Sequence, residues 1–193
     1  MNIFLVRHGQ TTGDVENRYG GDYDDHLTEL GKQQSAGVAK KLASTGIEII
    51  YSSPKIRAQE TAQIIKEALP KPLVIRPDFR ERNRYGVLTG LTKSEAAQKF
   101  PEQVALLADE HATLEQGEDY ESFGRRIEKA LKEVAAGKYQ TVAVITHGGP
   151  IRYIFREILK QGEIEIGDCA YAKIESKNGD YIIHELNGIT LKP

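Results

Sequence analysis

Residues 2–9 read Asn2-Ile3-Phe4-Leu5-Val6-Arg7-His8-Gly9, a short apolar run that ends in an arginine, a histidine and a glycine. The pattern returns at 141–149 as Thr141-Val142-Ala143-Val144-Ile145-Thr146-His147-Gly148-Gly149, and a third run, IEIIY at 47–51, gives way to Ser52-Ser53-Pro54. Short runs that are apolar on consecutive positions suit strands buried on both faces of a mostly parallel sheet, so strands are expected at 2–6, 47–51 and 141–146. Between them the spacing predicts helices over 28–43, 55–68, 92–99, 102–113, 120–136 and 150–160. Pro70 and Pro72 end the second of these, because neither donates to the helix ladder and each restricts its predecessor. Thr92 with Glu95 has the spacing of a capping box. The segments 169–175 and 181–187 form a hairpin around Asn178-Gly179, a pair that accepts the positive φ of a tight turn. With no repeat or low-complexity tract, the expectation is one α/β domain over residues 1–193.

Composition narrows the function classes. The 26 Lys plus Arg nearly balance 28 Asp plus Glu, and the net charge of -2 gives no global attraction to nucleic acid or an anionic membrane. The nine tyrosines are scattered and make no stacking platform for bases. The single cysteine, Cys169, excludes an internal disulfide, and no Cys/His spacing suggests zinc. No stretch reaches 18 apolar residues, and the start MNIFLVRHG lacks the basic leader and apolar core of a secretory signal, so the expected location is the cytoplasm. Neither metal nor organic cofactor is called for, and a homodimer stays open.

Ligands of a parallel sheet collect beyond the carboxyl ends of its strands. His8 and His147, 139 positions apart, both follow buried strands and both precede glycine, which lets a ligand approach the backbone closely. Converging strands would make them neighbours. His26, His111 and His184 have no such context and read as ordinary surface or packing residues. Around the pair lie Arg7, Arg57 and the run Arg80, Arg82 and Arg84 bracketing Glu81. Guanidinium forks match phosphate or carboxylate at any relevant pH, and a neutral imidazole can attack phosphorus while arginines stabilise the equatorial oxygens.

Four ordered blocks then carry a specific resemblance: Leu5-Val6-Arg7-His8-Gly9-Gln10-Thr11; Leu27-Thr28-Glu29-Leu30-Gly31; Ser52-Ser53-Pro54-Lys55-Ile56-Arg57-Ala58-Gln59-Glu60-Thr61-Ala62; and Thr146-His147-Gly148-Gly149. Together they resemble the histidine phosphatase superfamily, also called the phosphoglycerate mutase-like family. The resemblance implies a three-layer sandwich, a mostly parallel central sheet flanked by helices. It implies His8 as the phosphorylated nucleophile, with Arg7, Arg57 and His147 holding the phosphate and a carboxylic acid protonating the leaving oxygen. No metal is required in that scheme. Glu81 is the candidate acid, although it stands five residues before Gly86 where the family pattern has four, and strict counting would put Arg82 there. Thr11 and Gly148 are further candidates for the phosphate. Gly13-Asp14 replaces the Trp-Asn of the mutase pattern; an ionised Asp14 only accepts hydrogen bonds and would repel phosphate.

The mutase and phosphatase branches leave opposing marks. Tyr85 to Glu95 resembles the mutase segment, whereas Thr146 to Arg152 is closer to the phosphatase form, and the 65 residues separating Glu81 from His147 omit the longer mutase insertion that carries a carboxylate-gripping arginine pair. Arg125-Arg126 falls inside an expected helix. The expected function is a phosphomonoesterase acting on small phosphorylated metabolites through a phosphohistidine, the alternatives being a primed phosphoglycerate mutase or a non-catalytic interaction protein of the same fold. Between Asp109 and Gly124 stand six acidic residues and no Lys or Arg. Were this segment to overhang the site, it would favour neutral or amine-bearing phosphomonoesters.

Overall fold

The computed structural model describes residues 1–192. Its centre is a six-stranded sheet in the order β3-β2-β4-β1-β5-β6, made of β1 (Asn2–Arg7), β2 (Ile49–Ser52), β3 (Leu73–Ile75), β4 (Thr141–Thr146), β5 (Ile164–Lys177) and β6 (Asp180–Leu191). The first four run parallel, and β5 and β6 form an antiparallel hairpin added to the β1 edge. The helices are α1 (Thr12–Val15), α2 (Glu29–Leu42), α3 (Ile56–Ala68), α4 (Lys93–Lys99), α5 (Pro101–Leu106), α6 (Tyr120–Ala135) and α7 (Gly148–Tyr153), the last running on as a π-helical turn over Ile154–Ile158. None is long and apolar enough among the described residues to cross a membrane.

The alternation of strand side chains builds two cores. Ile3, Leu5, Val142 and Val144 face α6 and α7, where Phe123, Ile127, Ala130, Leu131 and Val134 recur at helical spacing. Phe4, Val6, Ala143 and Ile145 face the opposite layer with Val38, Leu42, Ala58 and Ile65 of α2 and α3. Each fully buried aliphatic chain contributes about 2 kcal/mol relative to exposure, so a charge on either face of β1 or β4 would cost a layer its core. A third, smaller cluster of Leu88, Ala96 and Leu114, flanked by Tyr19 and Tyr85, packs the segment between β3 and α6.

The expected elements recur with instructive differences. The Thr92–Glu95 capping box is formed, and Asn178 (φ 55°) and Gly179 (φ 90°) make the hairpin turn. The hairpin is longer than expected because β5 is interrupted between Ile166 and Tyr171 by a bulge, beyond which pairing resumes. β2 starts at Ile49 rather than 47. Short β3 lies half-exposed on the edge after Pro72, and α1 has four residues, too few for a periodic pattern. The helix expected over 102–113 ends at Leu106. Beyond it the carbonyls of Leu107, Glu110 and Ala112 accept from Arg84 and Arg82 instead of from later amides. The last helix begins at Gly148, two residues earlier than expected, since paired glycines weaken the helical signal there.

In-register pairing of Val6 with Ile145 and Arg7 with Thr146 carries both chain ends out of the sheet side by side. The loop after His8 is pressed onto α2: a Cβ on Gly9 would collide with the Gly31 carbonyl, and one on Gly31 with the Gln10 carbonyl. Backbone lies against backbone, so no side chain can swing aside. We expect Gly31→Ala to destabilise the protein by about 2 kcal/mol despite its better helix propensity. Calorimetry should read this as a fall in Tm of about 4–8 °C; an unchanged Tm would show that the contact relaxes freely.

Candidate active site

His8 is held by its backbone from two strands. Its amide donates to Thr146 O (3.1 Å), and its carbonyl accepts from the amide of Cys169 (3.1 Å) at the β5 bulge. The ring makes two further bonds, Nδ1 to the Gly9 carbonyl (2.8 Å) and Nε2 to Nε of Arg57 (3.2 Å). A guanidinium only donates and a carbonyl only accepts, so this network assigns the hydrogen to Nδ1 and the lone pair to Nε2. Burial, then the charges of Arg57 and Arg7, hold the His8 pKa well below the ordinary 6.5. The ring is therefore neutral at physiological pH, with Nε2 available as a nucleophile.

Arg57 starts α3 and is fixed on every side. Its guanidinium donates to Tyr23 O (2.6 Å), Gly21 O (2.9 Å) and Asp25 Oδ1 (2.9 Å), and the side chains of Arg57 and Asp25 are each only 4% exposed. Breaking such a buried pair from one side costs about 3–5 kcal/mol. Arg7 donates Nη1 to Ile166 O (2.9 Å) and pairs with Asp168 (3.2 Å), both in the β5 segment around the bulge. Asp168 had no sequence signal, because only the bulge turns it toward β1.

The His147 ring stands 5.0 Å from that of His8, centroid to centroid. Its Nε2 meets Ser53 Oγ at 2.6 Å, and that oxygen already accepts from the Lys55 amide (3.2 Å). A hydroxyl oxygen that accepts one N–H keeps a second lone pair as well as its own hydrogen, so this bond suits either tautomer of the neutral ring. Desolvation, followed by the charge of Arg57, keeps the His147 pKa well below 6.5. Three buried side-chain nitrogens have no partner among the described residues: Arg7 Nε, Arg84 Nε and His147 Nδ1. Buried polar groups are rarely left so, and an anion in the cavity that Arg7 lines would satisfy its Nε.

Glu81 lines the same cavity, of about 690 Å³, as Arg7, His8, Arg57, Gly148 and Arg152. Its carboxylate accepts from the amides of Gly149 (3.0 Å) and Arg82 (2.8 Å). A Cβ on Gly149 would collide with that carboxylate, which explains a glycine there. Arg82, the strict-count position, is buried and clamps the carbonyls of Glu118 (3.0 Å), Glu110 (2.8 Å) and Ala112 (3.0 Å). The extra residue between Glu81 and Gly86 thus leaves the carboxylate in the cavity.

The remaining candidates separate. Thr11 lines the cavity, yet its hydroxyl donates to Asp14 Oδ2 (2.9 Å) and accepts from the Asp14 amide (3.1 Å), capping α1. Asp14 consequently faces back onto Thr11. Gly148 begins α7 at the cavity wall. Arg125 is exposed beside Glu121, and Arg126 is bound to Glu118 and the carbonyls of Asp78 and Arg80, so neither lines the cavity. His26 and His184 pair with Glu60 and Glu175, and His111 stacks on Tyr120. The acidic segment does not overhang as a free negative field: Glu118 pairs with Arg80 and Arg126, Asp119 caps α6, and Glu110, which alone of the six lines the cavity, pairs with Arg84. Arg152 lines the cavity without having been singled out by the sequence.

Residues 3–188 match the sequence model of the Histidine phosphatase superfamily (branch 1). A relative called Metal-independent phosphoserine phosphatase, from Arabidopsis thaliana, is 36% identical over 162 residues, spanning 81% of this chain and 68% of that protein. A 2,3-bisphosphoglycerate-dependent phosphoglycerate mutase of Bartonella henselae is 35% identical over 160 residues, spanning 78% and 77%. Among solved structures, Bacillus stearothermophilus YhfR superposes with a TM-score of 0.85 at 26% identity, covering 94% of each chain.

The depressed histidines bear on stability. Between pH 6.5 and their lowered folded values, the unfolded chain takes up protons that the folded chain refuses, so stability falls as pH falls below 6.5. Each histidine adds up to about 1.4 kcal/mol per pH unit to that slope. Denaturation of wild type and His147→Gln from pH 7.5 to 5 should show a shallower acid loss in the variant; identical slopes would place the ring's pKa near its unfolded value.

Proposed function

Because the chain belongs to the histidine phosphatase superfamily, branch 1, we propose that it is a phosphomonoesterase that works through a phosphohistidine on His8. The observation that carries this reading is the neutral His8 Nε2 lone pair in one cavity with Arg57 and with Arg7, whose buried Nε has no partner, the His147 ring standing 5.0 Å away. The phosphoryl group sits against Arg7 Nε and Arg57, whose Nε–H turns from His8 to a phosphate oxygen. His8 Nε2 attacks phosphorus as the ester P–O bond breaks, and Glu81, entering protonated, gives its proton to the departing alkoxide. Glu81 then takes a proton from water, whose oxygen attacks phosphorus as the P–N bond breaks, releasing inorganic phosphate and neutral His8. The fixed guanidinium groups meet the equatorial charge without reorganising during the step, which supports a metal-independent scheme like that named for the Arabidopsis relative.

Hydrolysis rather than mutase transfer is supported by the placement of Arg125 and Arg126 away from the cavity, which leaves no arginine pair from that helix to hold a reorienting substrate. A mutase remains the second reading because a relative of that name is almost equally similar. The proposed substrate is a small phosphomonoester. We further propose one domain over 1–193, supported by a sheet whose strands come from both ends of the chain, and a cytoplasmic location, in keeping with a lone buried cysteine.

Phosphate release from a phosphomonoester panel with chelator present tests the reading. His8→Ala should abolish both release and the acid-labile, alkali-stable phosphoenzyme label that a phosphohistidine gives. Glu81→Gln should slow alkyl phosphates about 10²–10⁴-fold but form phosphoenzyme normally from p-nitrophenyl phosphate, whose leaving group needs no proton. Efficient interconversion of phosphoglycerates with little release would establish the mutase instead.

A further inference from the structure

Arg152 stands apart from the other arginines of the cavity. Arg57 is held by Asp25, two carbonyls and the His8 ring, Arg82 by three carbonyls, Arg84 by Glu110 and the Leu107 carbonyl, Arg7 holds Asp168, Arg18 holds Glu16 and the Gly90 carbonyl, and Arg156 holds Tyr120 and Glu163. Arg152, in the last turn of α7, makes no hydrogen bond or ion pair among the described residues, although it is half-buried and lines the cavity. A guanidinium cannot shed its charge, and holding one partly out of water without a counter-ion is unfavourable. A ligand anion would supply what the chain does not.

Its position says which part of a ligand. A Cβ built on Gly148 would lie 2.6 Å from Arg152 Nη1 and 3.9 Å from Arg7 Nε, so the two guanidiniums flank one glycine. On the neighbouring glycine, Gly149, rests the Glu81 carboxylate, which marks the side from which the ester oxygen departs. Arg152 therefore stands beside the phosphate position, on the side of the leaving alcohol. The lining holds nine lysines and arginines against six carboxylates, so the cavity favours more negative charge than a phosphate on a neutral alcohol brings. One planar, singly charged fork matches a planar monoanionic carboxylate bidentately.

Resting on the phosphomonoesterase reading, we propose that Arg152 is a specificity-determining residue that binds a carboxylate carried within a carbon or two of the phosphate ester oxygen, making carboxylate-bearing phosphomonoesters the preferred substrate class. This replaces the amine-bearing or neutral preference expected from the acidic segment, whose Glu110 is paired and whose other acids do not line the cavity.

The test compares phosphoserine with phosphoethanolamine, which lacks only the carboxylate, in wild type, Arg152→Gln and Arg152→Lys. We expect the Gln variant to lose about 30- to 100-fold in kcat/KM for phosphoserine, the worth of a charged hydrogen-bonded contact, while phosphoethanolamine changes less than about threefold. The Lys variant should recover part of the loss. Equal losses on both substrates would make Arg152 a ligand of the phosphate or a structural residue, and no loss on either would dismiss it; both outcomes overturn the proposal. A binding measurement stands apart from catalysis: calorimetry with 2-amino-4-phosphonobutyrate and with 3-aminopropylphosphonate, which lacks its carboxylate. Arg152→Gln should weaken only the former, and equal affinities in wild type would overturn the assignment even if the protein releases no phosphate. Loss of His8-dependent release from p-nitrophenyl phosphate with this binding difference intact would instead refute the hydrolase reading alone.

Discussion

The hydrogen bond from Arg57 Nε to His8 Nε2 is the constraint around which the centre is organised. It fixes the imidazole tautomer, because the atom that receives it cannot also carry a hydrogen, and it opposes protonation of that atom by placing a permanent charge 3.2 Å away. The bond is only as well defined as the guanidinium that makes it. Asp25, Tyr23 and Gly21 hold that group from the loop between α1 and α2, while α3 supplies its backbone. A charge so deeply buried is tolerable because every direction except the ring is already occupied. On the proposed reading the incoming phosphate competes for this last direction, freeing the lone pair as it binds.

The sheet supplies the other half of that geometry. Parallel pairing of β1 with β4 delivers His8 and His147 to adjacent positions, and the bulge of β5 closes the far side by donating the Cys169 amide to the His8 carbonyl and turning Asp168 onto Arg7. Cys169 adopts a positive φ of 52° to do so, a conformation uncommon for a side-chain-bearing residue. Strain at this point is held by pairing on both flanks of the bulge, since β5 is registered with β6 before and after it. The hairpin is thus part of the centre's frame, although none of its residues belongs to the sequence blocks that pointed to the chemistry.

What was legible in the sequence follows from how local each feature is. The buried strands announced themselves as apolar runs, and the histidines as polar residues just beyond them; both are properties of a few neighbouring positions. Arg57 and Glu81 were found through motif blocks, and Glu81 survived a one-residue irregularity because Arg82 has its own set of carbonyls to satisfy. Asp25, Asp168 and Arg152 were missed for a shared reason. Each acts through a contact whose other member is distant in the chain or lies on a turn without periodicity, and an isolated Asp or Arg carries no pattern by which to choose it. Thr11 and Asp14 show the converse: both were noticed as neighbours of the nucleophile, yet their polar atoms are turned on each other.

Charge illustrates why a tally of residues misled where geometry did not. The chain is slightly acidic as a whole, and its densest acidic segment lies beside the cavity, yet the cavity lining has more cations than carboxylates. The segment's acids are distributed by role: Glu118 locks Arg80 and Arg126, Asp119 caps α6, and Glu110 restrains Arg84. These arginines in turn bind backbone carbonyls that would otherwise lie unpaired in an irregular loop. Acidic and basic groups near the rim therefore cancel in building the loop, and the field within is set by the arginines with no such task. Arg57 and Arg7 are two of these only in part, each keeping one N–H for the centre; Arg152 is one entirely, which on the proposed reading leaves its fork for the ligand.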